Sequence, residues 1–140
     1  MLNIGSHVSF GKDQLLGATK EAISYGANTF MFYTGAPQNT IRSILNEELT
    51  HQAWNLMKEN IIDINNVICH APYIINLANK VNLDSWDFLI NFLRNEIDRC
   101  EAMGIKYIVV HLGNHLTNSL EVALKNITEA LNLVINKEDN

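Results

Sequence analysis

The segment Val67-Ile68-Cys69-His70-Ala71-Pro72-Tyr73 decides how this chain folds. Its apolar, β-branched run has the composition of a parallel strand covered on both faces. Pro72 ends the run, because proline gives no backbone donor to a sheet. His70 therefore stands at the carboxyl end of a strand. The pattern returns at Tyr107-Ile108-Val109-Val110-His111-Leu112-Gly113 and, more weakly, at Ile4-Gly5-Ser6-His7-Val8-Ser9.

Helical signals fill the intervals. After a first strand from Leu2 to Val8, Asp13 is placed to cap a helix that carries Leu15, Ala18, Ala22 and Ile23, with Gly26 as its stop. Asn28 to Tyr33 reads as a second strand, and a polar loop follows from Thr34 to Thr40. Asn46 caps a helix with Leu49, Ala53, Leu56 and Met57 on one face, and Asn65-Asn66 turns the chain into the strand ending at His70. The strongest helical pattern opens at Asp84-Ser85 and runs through Trp86, Leu89, Ile90, Leu93, Ile97, Cys100 and Met103 to Gly104. Asn118 and Glu121 have the spacing of a capping box before a last helix expected to bury Leu120, Leu124, Ile127, Leu131 and Val134. A charged tail, Lys137-Glu138-Asp139-Asn140, closes the chain.

Four strands alternating with four helices predict a parallel sheet with right-handed crossovers. A complete (β/α)8 barrel takes about 250 residues. Residues 1–140 are therefore read as one continuous unit, either half of such a barrel or an open four-stranded sheet. No GxGxxG follows the first strand and Gly11-Lys12 is no P-loop, so neither dinucleotide nor nucleotide binding has support.

Composition narrows the function classes. The hydrophobic share is 47%, ordinary for a chain with one core, and ten basic against fifteen acidic residues leave a formal net charge of −5. That balance excludes a global basic field for nonspecific nucleic-acid binding, so any such contact must be local. No run is long and apolar enough for a membrane span, and the first residues lack a signal peptide's basic and apolar regions, so a cytoplasmic location is expected. Cys69 and Cys100 fall in an apolar strand and on a buried helix face, as reduced core thiols rather than a disulfide framework or CxxC metal motif.

His70 and His111 lie one βα repeat apart, so they end adjacent strands on the rim where parallel α/β folds build their sites. Two neutral imidazoles entering one pocket suit zinc, and a carboxylate is the expected third ligand. The competing reading makes each histidine a hydrogen-bonded structural residue. His7, which lacks a strong flanking strand, is read only as a donor near the site. His115, beyond its strand, meets substrate or solvent, and His51 lies on an exposed helix face. Tyr73 and the Thr34 to Thr40 loop occupy the same rim, either packed for structure or reaching into a nucleic-acid groove. Trp54 and Trp86 are read as packing helices onto the sheet.

Four segments taken together, IGSHVS from Ile4, GANTFMFYTGAPQNT from Gly26, HAPYIINLAN from His70 and RCEAMGIKYIVVHLGNH from Arg99, resemble the amino-terminal half of endonuclease IV. They occur in the family's order and spacing across essentially the whole chain. The resemblance implies a (β/α)8 TIM barrel holding three zinc ions, which hydrolyses double-stranded DNA on the 5′ side of abasic sites in DNA repair. It assigns His70 and His111 to one zinc, with no catalytic side chain beyond the metal ligands. His7, Tyr73, Gln38 and His115 take positions near or against the DNA.

Two positions depart from the family pattern. Gln38 falls where some members carry an arginine that wedges into the duplex, so either the wedge persists with less phosphate attraction or the job falls to Arg42 nearby. The family's His-Pro-Gly reads His111-Leu112-Gly113 here. The resemblance places the remaining ligands beyond Asn140, so these residues would hold at most one partial zinc site. A carboxy-terminal half-barrel, or self-association through exposed sheet edges, would then be needed to cover the open face. The alternatives are a related metal-dependent sugar isomerase or epimerase and a non-catalytic half-barrel.

Overall fold

In the computed structural model, which describes residues 2–135, all strands join one parallel sheet of order β1-β2-β3-β4. The strands are β1 (Gly5–Val8), β2 (Thr29–Phe32), β3 (Ile68–His70) and β4 (Tyr107–Val109). The helices are α1 (Gln14–Ser24), α2 (Glu47–Glu59), α3 (Leu83–Ala102) and α4 (Leu120–Val134). Strand follows helix in strict alternation, as half a TIM barrel requires. The charged tail from Lys137 lies outside the described residues.

Alternation along the strands sorts the two faces. Val8, Phe30, Phe32 and Cys69 point to the helices and are buried with Leu15, Ala18, Ala53, Met57 and Met103. Trp86, Ile90, Leu93, Ala130 and Val134 form a second core beneath α3 and α4, and Ile108 packs against both. The opposite parity faces away from the helices. There His7 pairs in register with Met31, Met31 with Ile68, and Ile68 with Tyr107. Tyr107 is 59% exposed on this open concave side.

Local chemistry explains the helix boundaries. Gly26 adopts φ +69°, which lets its N–H reach the Ile23 carbonyl while the Ala27 N–H reaches Ala22. That pair of bonds closes α1 as a left-handed glycine stop. Gly104 ends α3 in the same manner. The Asn46 side chain accepts from the Leu49 N–H, as expected for the cap of α2.

Other expectations shift. The cap of α3 is Asn82, which accepts from the Ser85 N–H at 2.8 Å, so the helix starts before Asp84. Ser119, not Asn118, caps α4 through the Val122 N–H, and the Asn118 N–H goes to the His115 carbonyl. Asp13 holds the cap position of α1 without a side-chain bond. Gln14 beside it ties α1 to the start of α2 instead, its carboxamide donating to the Ile44 carbonyl and accepting from the Asn46 N–H.

The buried face of α4 also differs. Val134 is buried and Ile127 and Leu131 partly so, but Leu120 is 67% and Leu124 54% exposed. Ala123, Asn126 and Ala130 take the inner positions, and Asn126 donates to the Ala78 carbonyl at 2.9 Å. Small side chains admit close approach to the layer below, and α4 is apolar on more than one side, so periodicity alone misassigned the stripe. Trp86 is buried and donates to the Leu77 carbonyl, as expected of a packing residue. Trp54 instead leans on the turn after α3, donating to the Met103 carbonyl beside an exposed His51.

Candidate metal centre and nucleic-acid interface

The carboxyl ends of the four strands carry a row of rings. His7 lies 4.7 Å from Tyr33, Tyr33 lies 4.9 Å from His70, and His70 lies 4.9 Å from His111, all between ring centroids. One ring comes from each strand or from the residues just after it, on the concave parity. The structure thus brings three of the expected residues together and adds Tyr33. Tyr33 occupies, after β2, the place that the histidines occupy after the other strands, and that equivalence is the signal by which it was legible.

The His70 ring is oriented by its own chain. Its Nδ1 lies 2.6 Å from the Ala71 carbonyl, which can only accept, so Nδ1 donates and, in the neutral ring, Nε2 is the nitrogen left with a lone pair. This is the arrangement of a histidine whose remaining nitrogen serves a metal. His111 sits beside it, exposed, two residues past the end of β4. Two imidazole nitrogens suit zinc chemically, yet among the described residues no third histidine, cysteine or carboxylate joins them. The residues present fit one side of a zinc ion. His7 has its pKa lowered, first by partial burial of the ring and then by the neighbouring His70, while a backbone hydrogen bond at Val8 opposes the shift.

The remaining candidates sit on loops that leave the same rim. Gln38 is exposed on the β2–α2 loop, and Tyr73 is 56% exposed on the β3–α3 loop. His115 is exposed after β4, with its Nδ1 2.9 Å from the Asn118 carbonyl. None of these three stands in the ring row.

Arg42 does not replace the wedge arginine. Its side chain is 5% exposed, and its Nε donates to Glu96 Oε1 at 2.8 Å while the guanidinium lies over Phe92. The buried Glu96 carboxylate and the loop carbonyls hold it inside against the cost of desolvation, so its charge is turned away from any phosphate at the rim. Its role is structural, and no local pattern in the sequence signals it. Arg42 Nη1 donates to the carbonyls of Ala36, Asn39 and Ile41, and Arg99 donates to those of Ser43 and Thr34. Thr34 Oγ1 donates to the other oxygen of Glu96, which is fully buried. Two guanidiniums and one carboxylate thereby gather the β2–α2 loop from the inside. Burial lowers the pKa of Arg99, and Glu96 beside it pulls the other way.

Both cysteines are free and buried, as expected. A hydrogen bond to Cys100, followed by burial, pushes the Cys69 thiol far above its ordinary range, so it stays neutral and takes no part in the rim. No described helix is long and apolar enough to cross a membrane.

A family profile described as xylose isomerase-like TIM barrel matches residues 19–140. The chain belongs to that family. It is 51% identical over its full length to a probable endonuclease 4 of Bacillus subtilis, covering 47% of that protein, and 44% identical over 98% of its length to a probable endonuclease 4 of Mesoplasma florum, covering 48%. Among solved structures, endonuclease IV from Thermus thermophilus superposes with a TM-score of 0.76 at 24% identity, over 95% of this chain and 47% of that one. A D-tagatose 3-epimerase-like protein gives 0.62 at 16% identity, over 94% and 47%. At such identities the two structures speak for the barrel fold alone. Within its family, the chain corresponds to the amino-terminal half of endonuclease IV and spans about half the length of the curated relatives it matches.

Proposed function

We propose that this chain supplies the first part of a zinc-dependent site that hydrolyses DNA on the 5′ side of abasic sites, as the resemblance to endonuclease IV implies. The observation that carries the reading is the pair of strand-end imidazoles, His70 and His111, 4.9 Å apart on the rim of a chain so similar to probable endonucleases 4. His70 and His111 would hold one zinc of the three in the complete enzyme. Zinc, when bound, acidifies water and stabilises charge on phosphate oxygens. The chain's own part is to fix the two nitrogens and to carry His7, Tyr73, Gln38 and His115 toward the duplex. An abasic sugar costs little to extrude because it has no base to unstack. The free thiols support a cytoplasmic setting. The β1 and β4 edges and the open concave face would be covered by further strands completing the barrel.

The test is incubation of the purified chain with zinc and an abasic-site duplex, with and without a carboxy-terminal half-barrel from a relative. Cleavage is expected only when both halves are present, and His70→Ala should abolish it. Cleavage by the 140-residue chain alone would overturn the need for further ligands. The epimerase-like structural neighbour motivates a second reading, a sugar isomerase or epimerase. It is favoured if the paired halves turn over small sugars and leave the duplex intact.

A further inference from the structure

We infer that Asn76 is a positioning residue for His111, acting through a side chain that takes the place of a strand. The β3–β4 ladder ends where the Ala71 N–H donates to the Val109 carbonyl. Beyond His111 the same two segments meet again. The Leu77 N–H donates to the Leu112 carbonyl at 3.2 Å, and the Asn76 carboxamide bonds both backbone groups of Asn114. Its Nδ2 donates to the Asn114 carbonyl and its Oδ1 accepts from the Asn114 N–H, each at 3.1 Å. His111 is thus fastened on both sides to the segment that carries Tyr73.

Gly113 is the counterpart that admits the clamp. It adopts φ +101°, and a Cβ there would lie 2.0 Å from Asn76 Oδ1 and 2.7 Å from Asn76 Cα. A side chain would displace the carboxamide as well as strain the backbone. Between the two loops lies a cavity of about 430 Å³ lined by Tyr73, Asn76, His111 and Asn114. The clamp therefore sets the gap between the proposed metal ligand and the proposed DNA-contacting tyrosine. Outer hydrogen bonds that orient a ligand typically govern metal affinity by about 10–100-fold.

The inference rests on the assignment of His111 as a ligand, so its test has two readouts. In the metal-free chain, the His111 ring proton signals are followed by NMR in Asn76→Ala, Asn76→Asp and Gly113→Ala. Zinc affinity is measured by competition with a chromophoric chelator, and cobalt spectra report the ligand geometry. Asn76→Ala and Gly113→Ala are expected to move the His111 signals and weaken zinc binding at least about tenfold. Asn76→Asp, which keeps only the acceptor, should fall between them and the wild type. Asn79→Ala, whose side chain bonds the Val81 N–H in the same loop, should match the wild type. Unmoved His111 signals and unchanged affinity in Asn76→Ala would overturn the clamp while His111→Ala still loses zinc. If His70→Ala and His111→Ala bind zinc like the wild type, the ligand assignment fails. The clamp is then decided by the NMR signals, where a shift in Asn76→Ala supports it and none overturns it. Should Gly113→Ala not fold, the two Asn76 variants carry the test.

Discussion

Glu96 is the residue on which the β2–α2 loop depends. Fully buried, it faces Arg42 and Thr34, and its loss would leave a guanidinium without a counter-charge in the interior. Breaking such a pair from one side costs about 3–5 kcal/mol. Glu96→Ala should therefore lower unfolding free energy by that order in urea denaturation, and a change below about 1 kcal/mol would contradict the buried-pair account. None of this was visible in the sequence, because Arg42 and Glu96 are 54 positions apart and each reads alone as a solvated charge. The strand-end histidines were legible for the opposite reason. Parity along a strand is a local property, so His70 and His111 had to share a face once their strands were adjacent. Tyr33 obeys the same rule, although a tyrosine carries no metal chemistry to mark it in the sequence.

Helix ends show which local signals decide a boundary. Gly26 has open space around its absent Cβ, so Gly26→Ala should cost only the left-handed backbone penalty, about 1–2 kcal/mol, in thermal unfolding. Gly26→Asn should cost less. At the start of α3, Asn82→Ala should cost about 1 kcal/mol and Asp84→Ala less, which reverses if Asp84 is the true cap. Both residues are good cap formers two positions apart, so residue type alone does not fix where the helix starts. The turn before β3 has an acid-sensitive element. Asp63 accepts from the Asn65 N–H and side chain, which lowers its pKa below the ordinary 3.8. A carboxylate with a depressed folded pKa stabilises the fold above its unfolded pKa and loses that contribution as pH falls through the folded value. Asp63→Asn should accordingly reduce the loss of stability on acidification below about pH 4, measured by urea unfolding across that range. The misread stripe of α4 has a different origin. Leu120 and Leu124 lie on a helix with two apolar faces, and only the layer beneath, absent from any one-dimensional pattern, selects between them.

For the whole molecule, the alternation of strands and helices was legible from periodicity, whereas periodicity and length left half a barrel and an open four-stranded sheet both open, and only the resemblance to endonuclease IV chose the half-barrel. What covers its open side was not legible. Leu120, Leu124, Leu133, Ile4 and Tyr107 are exposed, and among the described residues no strand covers the outer edges of β1 and β4, a combination that favours association. Sedimentation of the 140-residue chain should show mass rising with concentration, and a monomer throughout the micromolar range would contradict this. The ring row offers a last point. Its spacings of 4.7, 4.9 and 4.9 Å match the 4.7–4.9 Å that separates neighbouring strands in any sheet. The backbone lattice works as a ruler, and each βα unit adds one graduation. Rim loops can then lengthen, shorten or change sequence through evolution while the gauge between successive rings stays fixed, leaving new chemistry to be written at a constant pitch.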